Sequence, residues 1–426
     1  IILTLAACLM VCYAYYCNLS PPEFETGYYF PNMFSPGARA QLYSIIDIIV
    51  LVGVMLFGAW LTLHRRSRRH IVVLVIFSLL YFGFYRRGCI CSIGAIGNIA
   101  QALGDPEYVL PLVAGAFFVL PLLAALFFGR VFCGVACPLG MIQDLVILRP
   151  VRVPRWLSDA LGLIPFVYLG AAVLFAWAGS GLIICRYDPY VAFFRLGGSV
   201  PMLAAGAVML LIGMFIARPY CRFICPYSVL LRACAAIAKS PPRITTGDCI
   251  TCHLCVDTCP FDAIRPPTPD TGGPARREGK SLLIALIVLL PVLMALGGWL
   301  GYRSSHMLSR THYEIRLAER LWAEQQETVE GTTEPTDAFY HMGQANEGLY
   351  GRAAEIRRKF DLGSTVLGAW LGLVIAGKLI SLTVRRRRTI YEIDPTACFA
   401  CGRCYEVCPL DRAAESAEQT VRTGSS

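Results

Sequence analysis

Apolar runs of 15 to 22 residues recur along the chain, separated by short polar segments rich in arginine. A hydrocarbon core of about 30 Å takes about 20 apolar residues per helical span. The pattern therefore predicts eight spans, at about 1–17, 43–63, 71–87, 108–128, 160–180, 200–217, 281–301 and 363–383. The first run lacks a small-residue cleavage site at its end and reads as a span rather than a signal segment. Arg65, Arg66, Arg68 and Arg69 follow the second run. Arg149, Arg152 and Arg155 precede the fifth, Arg276, Arg277 and Lys280 precede the seventh, and Arg385 to Arg388 follow the eighth. Strict alternation puts these four groups on one face, which the positive-inside rule makes cytoplasmic. Arg86 and Arg87 fall on the other face.

Composition agrees with the pattern. The 426 residues are 56% hydrophobic, with mean hydropathy +0.56. Only 16% are charged, against roughly 25% in soluble domains. The net charge of +9 sits largely in arginines beside the apolar runs, which membrane topology explains better than nucleic acid does. The expected fold is an all-α polytopic membrane protein of about eight transmembrane helices. A small cytoplasmic unit, built from two separated segments, is expected to carry iron–sulfur ligands. Five regions follow: 1–87, N-terminal spans; 88–235, a duplicated membrane unit; 236–280, a first cysteine-rich segment and linker; 281–384, a transmembrane hairpin with outer loop 303–362; and 385–426, a second cysteine-rich segment.

The nineteen cysteines are too clustered for a disulfide scaffold. Cys249 to Pro260 ("CITCHLCVDTCP") and Cys398 to Pro409 ("CFACGRCYEVCP") both read C-x-x-C-x-x-C-x-x-x-C-P. Three closely spaced thiolates wrap one side of a [4Fe–4S] cube, and in two-cluster ferredoxins the cysteine before proline ligates the other cube. Cys249, Cys252, Cys255 and Cys408 would then hold one cube, and Cys398, Cys401, Cys404 and Cys259 the second. The halves are 139 residues apart, so the hairpin between them must bring the chain back. Two zinc sites are the alternative; the repeated spacing and terminal Cys-Pro weigh against them. Cys249, Cys252 and His253 also spell C-x-x-C-H, a haem attachment signature. That reading leaves Cys255 and Cys259 idle and needs an outer location. The second run has Gly402 where the histidine would stand.

A second pattern is a repeat. Residues Cys91 to Leu145 and Cys185 to Ala233 each carry a cysteine, a short amphipathic piece, a span and C-x-x-x-C-P. Cys133 with Cys137, and Cys221 with Cys225, are spaced i, i+4, which predicts two thiols on one helical face. Pro138 and Pro226 suit the first turn of a following helix. Four thiols brought together by the repeat could hold a further iron–sulfur cluster or metal, or be small buried packing groups. Arg130, Arg218 and Arg222 nearby would favour thiolate or an anionic cluster, or serve as interfacial anchors. Cys17, Cys89, Cys91 and Cys185 fall near the outer face, as an outer redox group, as disulfides or unpaired. Cys8, Cys12 and Cys234 read as packing residues.

No histidine lies deep in a span, so a bis-histidine haem is not expected. His306, His312 and His341 read as solvated residues of the outer loop. Asp47 reads as a wetted interfacial carboxylate or a proton or quinone site, and Lys378 as a snorkelling cation. Asp361 to Thr365 ("DLGST") is too degenerate for a flavin-esterification motif, so FMN is not expected in these residues.

The segments "GRVFCGVACPLG", "ARPYCRFICPYSVLL", "CITCHLCVDTCPFDAI" and "CFACGRCYEVCPLD" resemble the polyferredoxin-like membrane proteins of anaerobic respiration. That family includes the nitrous-oxide reductase maturation and regulatory branch and the quinol-oxidising ferredoxin-like subunit of periplasmic nitrate reductase. The resemblance implies two [4Fe–4S] clusters on the eight cysteines above. It also implies a bacterial or archaeal cytoplasmic membrane, partner subunits carrying haem, flavin or iron–sulfur groups, and electron exchange with quinone or an outer carrier. A maturation factor that reduces or metallates a client enzyme is the alternative. Neither reading requires this chain to make or break substrate bonds. Within these residues, the hairpin splitting the two ferredoxin runs and the lack of an outer flavin-binding segment depart from the family pattern.

Overall fold

In a hydrocarbon slab every backbone N–H and C=O must be satisfied within the segment, so the apolar runs fold as helices. The computed structural model describes residues 41–88, 91–182, 184, 188–195, 200–244, 249–268, 276–341, 346–383, 388 and 390–410. The predicted span at 1–17, together with Cys8, Cys12, Cys17, Cys89, Cys185 and Arg385 to Arg387, lies outside these residues. Helix α1 (Gln41–Trp60) runs on through a π turn to Arg65, and α2 (Arg68–Ser78) runs on through another to Tyr85. Then follow α3 (Ser92–Gly104), α4 (Leu112–Phe128), α5 (Val131–Val135), α6 (Pro138–Leu145), α7 (Arg155–Leu161), α8 (Ile164–Trp177), α9 (Pro189–Arg195) and α10 (Val200–Phe215). Next come α11 (Pro219–Phe223), α12 (Tyr227–Ala236), α13 (Leu254–Thr258), α14 (Arg276–Ser309), α15 (Tyr313–Gln325), α16 (Glu334–His341), α17 (Asn346–Thr383) and α18 (Arg403–Val407).

Among the described residues, five helical segments are long and apolar enough to cross a membrane: Leu42–Arg65, Arg68–Tyr85, Arg155–Trp177, Ser281–Ser309 and Asn346–Thr383. They match the runs expected at 43–63, 71–87, 160–180, 281–301 and 363–383. The runs at 108–128 and 200–217 form the shorter apolar helices α4 and α10. Helix α4 begins only after Pro111 and is stopped by Gly129 at φ 70°, a conformation that costs other residues a steric penalty.

Helices α14 and α17 form the long hairpin. A Cβ on Gly368 would collide with the carbonyl oxygen of Gly297, so glycine lets the two backbones touch. The hairpin returns the chain to a two-stranded antiparallel sheet, β1 (Ile264–Arg265) with β2 (Glu392–Ile393), pairing Ile264 with Ile393. The segment between the two helices has its own small core of Leu317, Leu321, Phe339 and Leu349. His312 is buried at its entrance, not solvated: it caps α15 by accepting from the Glu314 amide. Burial holds its imidazole below the usual range, against the nearby Glu314.

Three expectations change in the folded chain. Asp47 is buried, not wetted; it pairs with Arg86 at 2.6 Å and accepts from the Tyr81 hydroxyl at 2.9 Å. This also gives Arg86, the exception to the positive-inside pattern, a carboxylate partner. Lys378 pairs with Asp159 at 2.8 Å. The C-x-x-x-C pairs do not lie on single helices: α5 and α11 stop at Val135 and Phe223, and each second cysteine sits in the break before a proline. Proline lacks the N–H and disfavours helix in the residue before it, so the helix must restart.

Candidate metal centres

The two ferredoxin-type runs fold alike because their loops need the same backbone. Thr251 and His253 take left-handed conformations in the first run (φ 54° and 64°), and Ala400 and Gly402 take them at the equivalent places in the second (φ 53° and 74°). Such turns aim successive amide N–H groups into a concavity that suits an anionic centre. A short helix follows each loop, α13 after His253 and α18 after Gly402. Each ends at an extended cysteine, Cys259 or Cys408.

The runs cross over. One cavity is lined by Cys249, Cys252 and Cys255 with Cys408, and a second by Cys398, Cys401 and Cys404 with Cys259; Cys404 borders both. This is the grouping expected from the spacing. Among the described residues, no three His, Cys, Asp or Glu side chains converge as ligands of a single ion. The thiols stand around cavities, as suits a centre in which each thiolate binds a different iron. Burial pushes the Cys398 thiol up to about 12, with Cys401 and Cys259 adding to the rise and Arg130 opposing it. Burial likewise raises Cys259 and Cys404. Thiols so placed become thiolates when a metal supplies the charge. The His253 ring meets the Tyr391 hydroxyl at 2.5 Å.

The cavities differ in their surroundings. Cys252 is exposed at the first. The second is set against the membrane unit: Phe261, Phe399, Ala400 and Cys401 share one buried core with Cys133, Cys137, Cys221 and Cys225. A Cβ on Gly134 would collide with the Phe399 carbonyl oxygen, so the second ferredoxin loop rests directly on α5.

The four membrane-unit cysteines converge as the repeat predicts. They line a third, apolar cavity with Phe117, Tyr227 and Arg130, and Cys91 joins them. Its volume, about 20 Å³, is close to the 30 Å³ of each ferredoxin-type cavity. Cys91 thus leaves the outer group in which the sequence places it. The first turns of α3, Ser92 to Gly97, are buried on all sides, which holds the residue before them in the interior. The two repeats hold each other reciprocally. Arg218 of the second donates to the Cys133 carbonyl at 2.6 Å, and Gln143 of the first donates to the Cys221 sulfur at 3.5 Å.

Sequence reasoning missed the buried charges between these sites. Asp144 pairs with Arg68 at 2.9 Å, Arg403 at 3.4 Å and Arg218 at 3.6 Å. Burial would raise its carboxyl, but Arg218, Arg68 and Arg403 hold it below the usual range. Arg68 also donates to the Cys401 carbonyl. The Nε atoms of Arg130, Arg218 and Arg403 are buried without an acceptor among the described residues. Orphaned cationic donors beside a ring of thiols are what an anionic iron–sulfur centre would satisfy. The residues present therefore fit such a group. The sequence left Arg130 and Arg218 open between favouring an anionic cluster and anchoring at the interface, and read Arg68 only as a topology signal.

A family model described as "4Fe-4S binding domain" matches residues 110–163 and 199–239, and another with the same description matches 242–265 and 391–411. Protein NirI of Paracoccus denitrificans is 26% identical over 240 residues, 52% of this chain and 35% of its own. Regulatory protein NosR of Pseudomonas aeruginosa is 26% identical over 208 residues, 45% of this chain and 29% of its own. The methylamine utilization ferredoxin-type protein MauN of Methylobacillus flagellatus is 26% identical over 167 residues, 35% of this chain and 52% of its own. The aligned part of the chain thus spans about a third of NirI and NosR. No solved structure gives a significant match.

Proposed function

Because the chain belongs to the polyferredoxin-like membrane iron–sulfur proteins, we propose that it is the electron-transfer subunit of a membrane respiratory complex. It passes electrons between two [4Fe–4S] groups on its cytoplasmic side and a quinone or an outer redox partner. The observation that carries this reading is the crossed arrangement of thiols: each cavity takes three cysteines from one run and the pre-proline cysteine from the other. Cys249, Cys252, Cys255 and Cys408 hold one group, and Cys398, Cys401, Cys404 and Cys259 the other. When bound, these groups supply one-electron transfer at potentials set by charge, burial and hydrogen bonds to sulfur.

The chain's own residues supply the rest. Phe261 and Phe399 pack at 4.8 Å and keep water from the second group. About 30 Å of hydrocarbon is too wide for one efficient hop, so the path needs a further station. Cys133, Cys137, Cys221 and Cys225, with Cys91, offer one as an additional cluster or a redox thiol site. On this reading the protein is a multi-pass component of the cytoplasmic membrane of a bacterium or archaeon.

Iron and acid-labile sulfide analysis, with EPR of the dithionite-reduced protein, tests the reading. About eight irons fit two cubes, and about ten fit an added two-iron centre in the membrane unit. Zinc in place of iron overturns it. The second reading, offered by the sequence, is a factor serving the maturation of a client redox enzyme; the relative NosR is named as a regulatory protein. Stoichiometric co-purification with subunits carrying haem or flavin supports the first. Transient association, with a client left short of metal on deletion, supports the second.

A further inference from the structure

Phe399 and Arg403 line the second ferredoxin-type cavity, and further guanidiniums gather behind Phe399 on the side of the membrane unit. Arg130 and Arg218 are the two largest fully buried side chains among the described residues. Both guanidiniums lie over the Phe399 ring, at 4.1 Å and 5.3 Å. Phe399 directly follows Cys398. Arg130 also donates to the Thr396 carbonyl at 3.0 Å, and its other amino group lies 3.9 Å from the Cys133 sulfur. With Arg68 and Arg403, four guanidiniums gather here against the single carboxylate of Asp144. Arg130 has no ion pair among the described residues. The first cavity has instead the half-buried Arg66 over its Tyr405 ring, at 5.3 Å. Its neighbours include the His253–Tyr391 pair and the exposed Arg152–Asp257 ion pair.

From this geometry we infer that Arg130 and Arg218 are positioning residues for the second iron–sulfur group, holding its reduction potential above the value its thiolates alone would set. The inference rests on the electron-transfer reading above. Four thiolates make such a group anionic, and reduction adds a further negative charge. A buried guanidinium stabilises that added charge strongly, because little water stands between them. Removing the cation makes reduction harder, and the potential falls. Phe399 holds both planar cations at a fixed place, by the attraction of its ring face. The same Arg130 borders the cavity of Cys133, Cys137, Cys221, Cys225 and Cys91. One charge therefore draws an electron toward the membrane side of the ferredoxin unit and sits at the next station inward.

The test is an EPR-monitored redox titration of the purified full chain carrying Arg130→Gln or Arg130→Lys. Wild-type protein showing two [4Fe–4S] signals establishes the reading beneath the inference; without them that reading fails first. Arg130→Gln, which keeps a donor for Thr396 but loses the charge, is expected to shift one of the two signals to lower potential. Arg130→Lys keeps the charge and is expected to leave both signals near their wild-type potentials. Equal shifts in the two variants, equal shifts of both signals, or no shift in Arg130→Gln overturn the inference. If Arg130→Gln loses iron, iron retained by Arg130→Lys supports the compensating role, and equal loss from both variants contradicts it.

Discussion

The two ferredoxin-type cavities have the same ligand spacing, the same left-handed loop residues and the same short helix, yet they live in different media. The first faces outward, with Cys252 exposed and His253 against Tyr391. The second is pressed onto the CxxxCP segments, with the buried Arg130 and Arg218 over its Phe399 ring. A duplicated motif has thus been given two environments by what each copy docks against. In an iron–sulfur protein, environment sets potential. On the electron-transfer reading proposed above, the outward cavity is the one for exchange with soluble or peripheral donors, and the inward one for traffic with the membrane unit.

The largest test of this comparison uses the crossed cysteines. Cys259→Ala is expected to abolish the signal of the second group and spare the first, although Cys259 belongs to the first run. Cys408→Ala is expected to do the reverse. Each should lower iron from about eight to about four per chain, measured by iron analysis and EPR. Loss of the group bound mainly by the mutated run would reverse the assignment.

Gly134→Ala should act on one cavity only. The new methyl must push the Phe399 carbonyl away, and overpacking of this kind costs roughly 1–3 kcal/mol. The expected result is a lower melting temperature and a changed second EPR signal, with the first unaltered. If both signals stay as in wild type, the close seating of the second loop on α5 has no consequence for the centre.

The smallest effect is expected at the outward cavity. Tyr391→Phe removes the hydroxyl that meets His253. A hydrogen bond of this kind contributes about 1 kcal/mol, so a small shift confined to the first signal should follow in a redox titration. A shift of the second signal instead would mean that the cavities are not independently tuned.

The chain alone determined that apolar helices dominate, because a run of about 20 apolar residues has few other stable forms. It also led to the expectation of two crossed quartets, because the spacing within each run carries the geometry of one centre, and the cysteines of the two runs do line two shared cavities. The repeat likewise foretold that Cys133, Cys137, Cys221 and Cys225 would converge. What it could not carry were contacts between residues far apart in the chain. Only the folded molecule brought Cys91 to the membrane thiols, paired Asp47 with Arg86, seated Phe399 on Gly134, and showed Arg130 and Arg218 to be fully buried. Those facts depend on which surfaces of distant helices meet. Local spacing constrains the torsions of a few neighbouring residues, whereas the packing of the whole core decides where each charge is stripped of water.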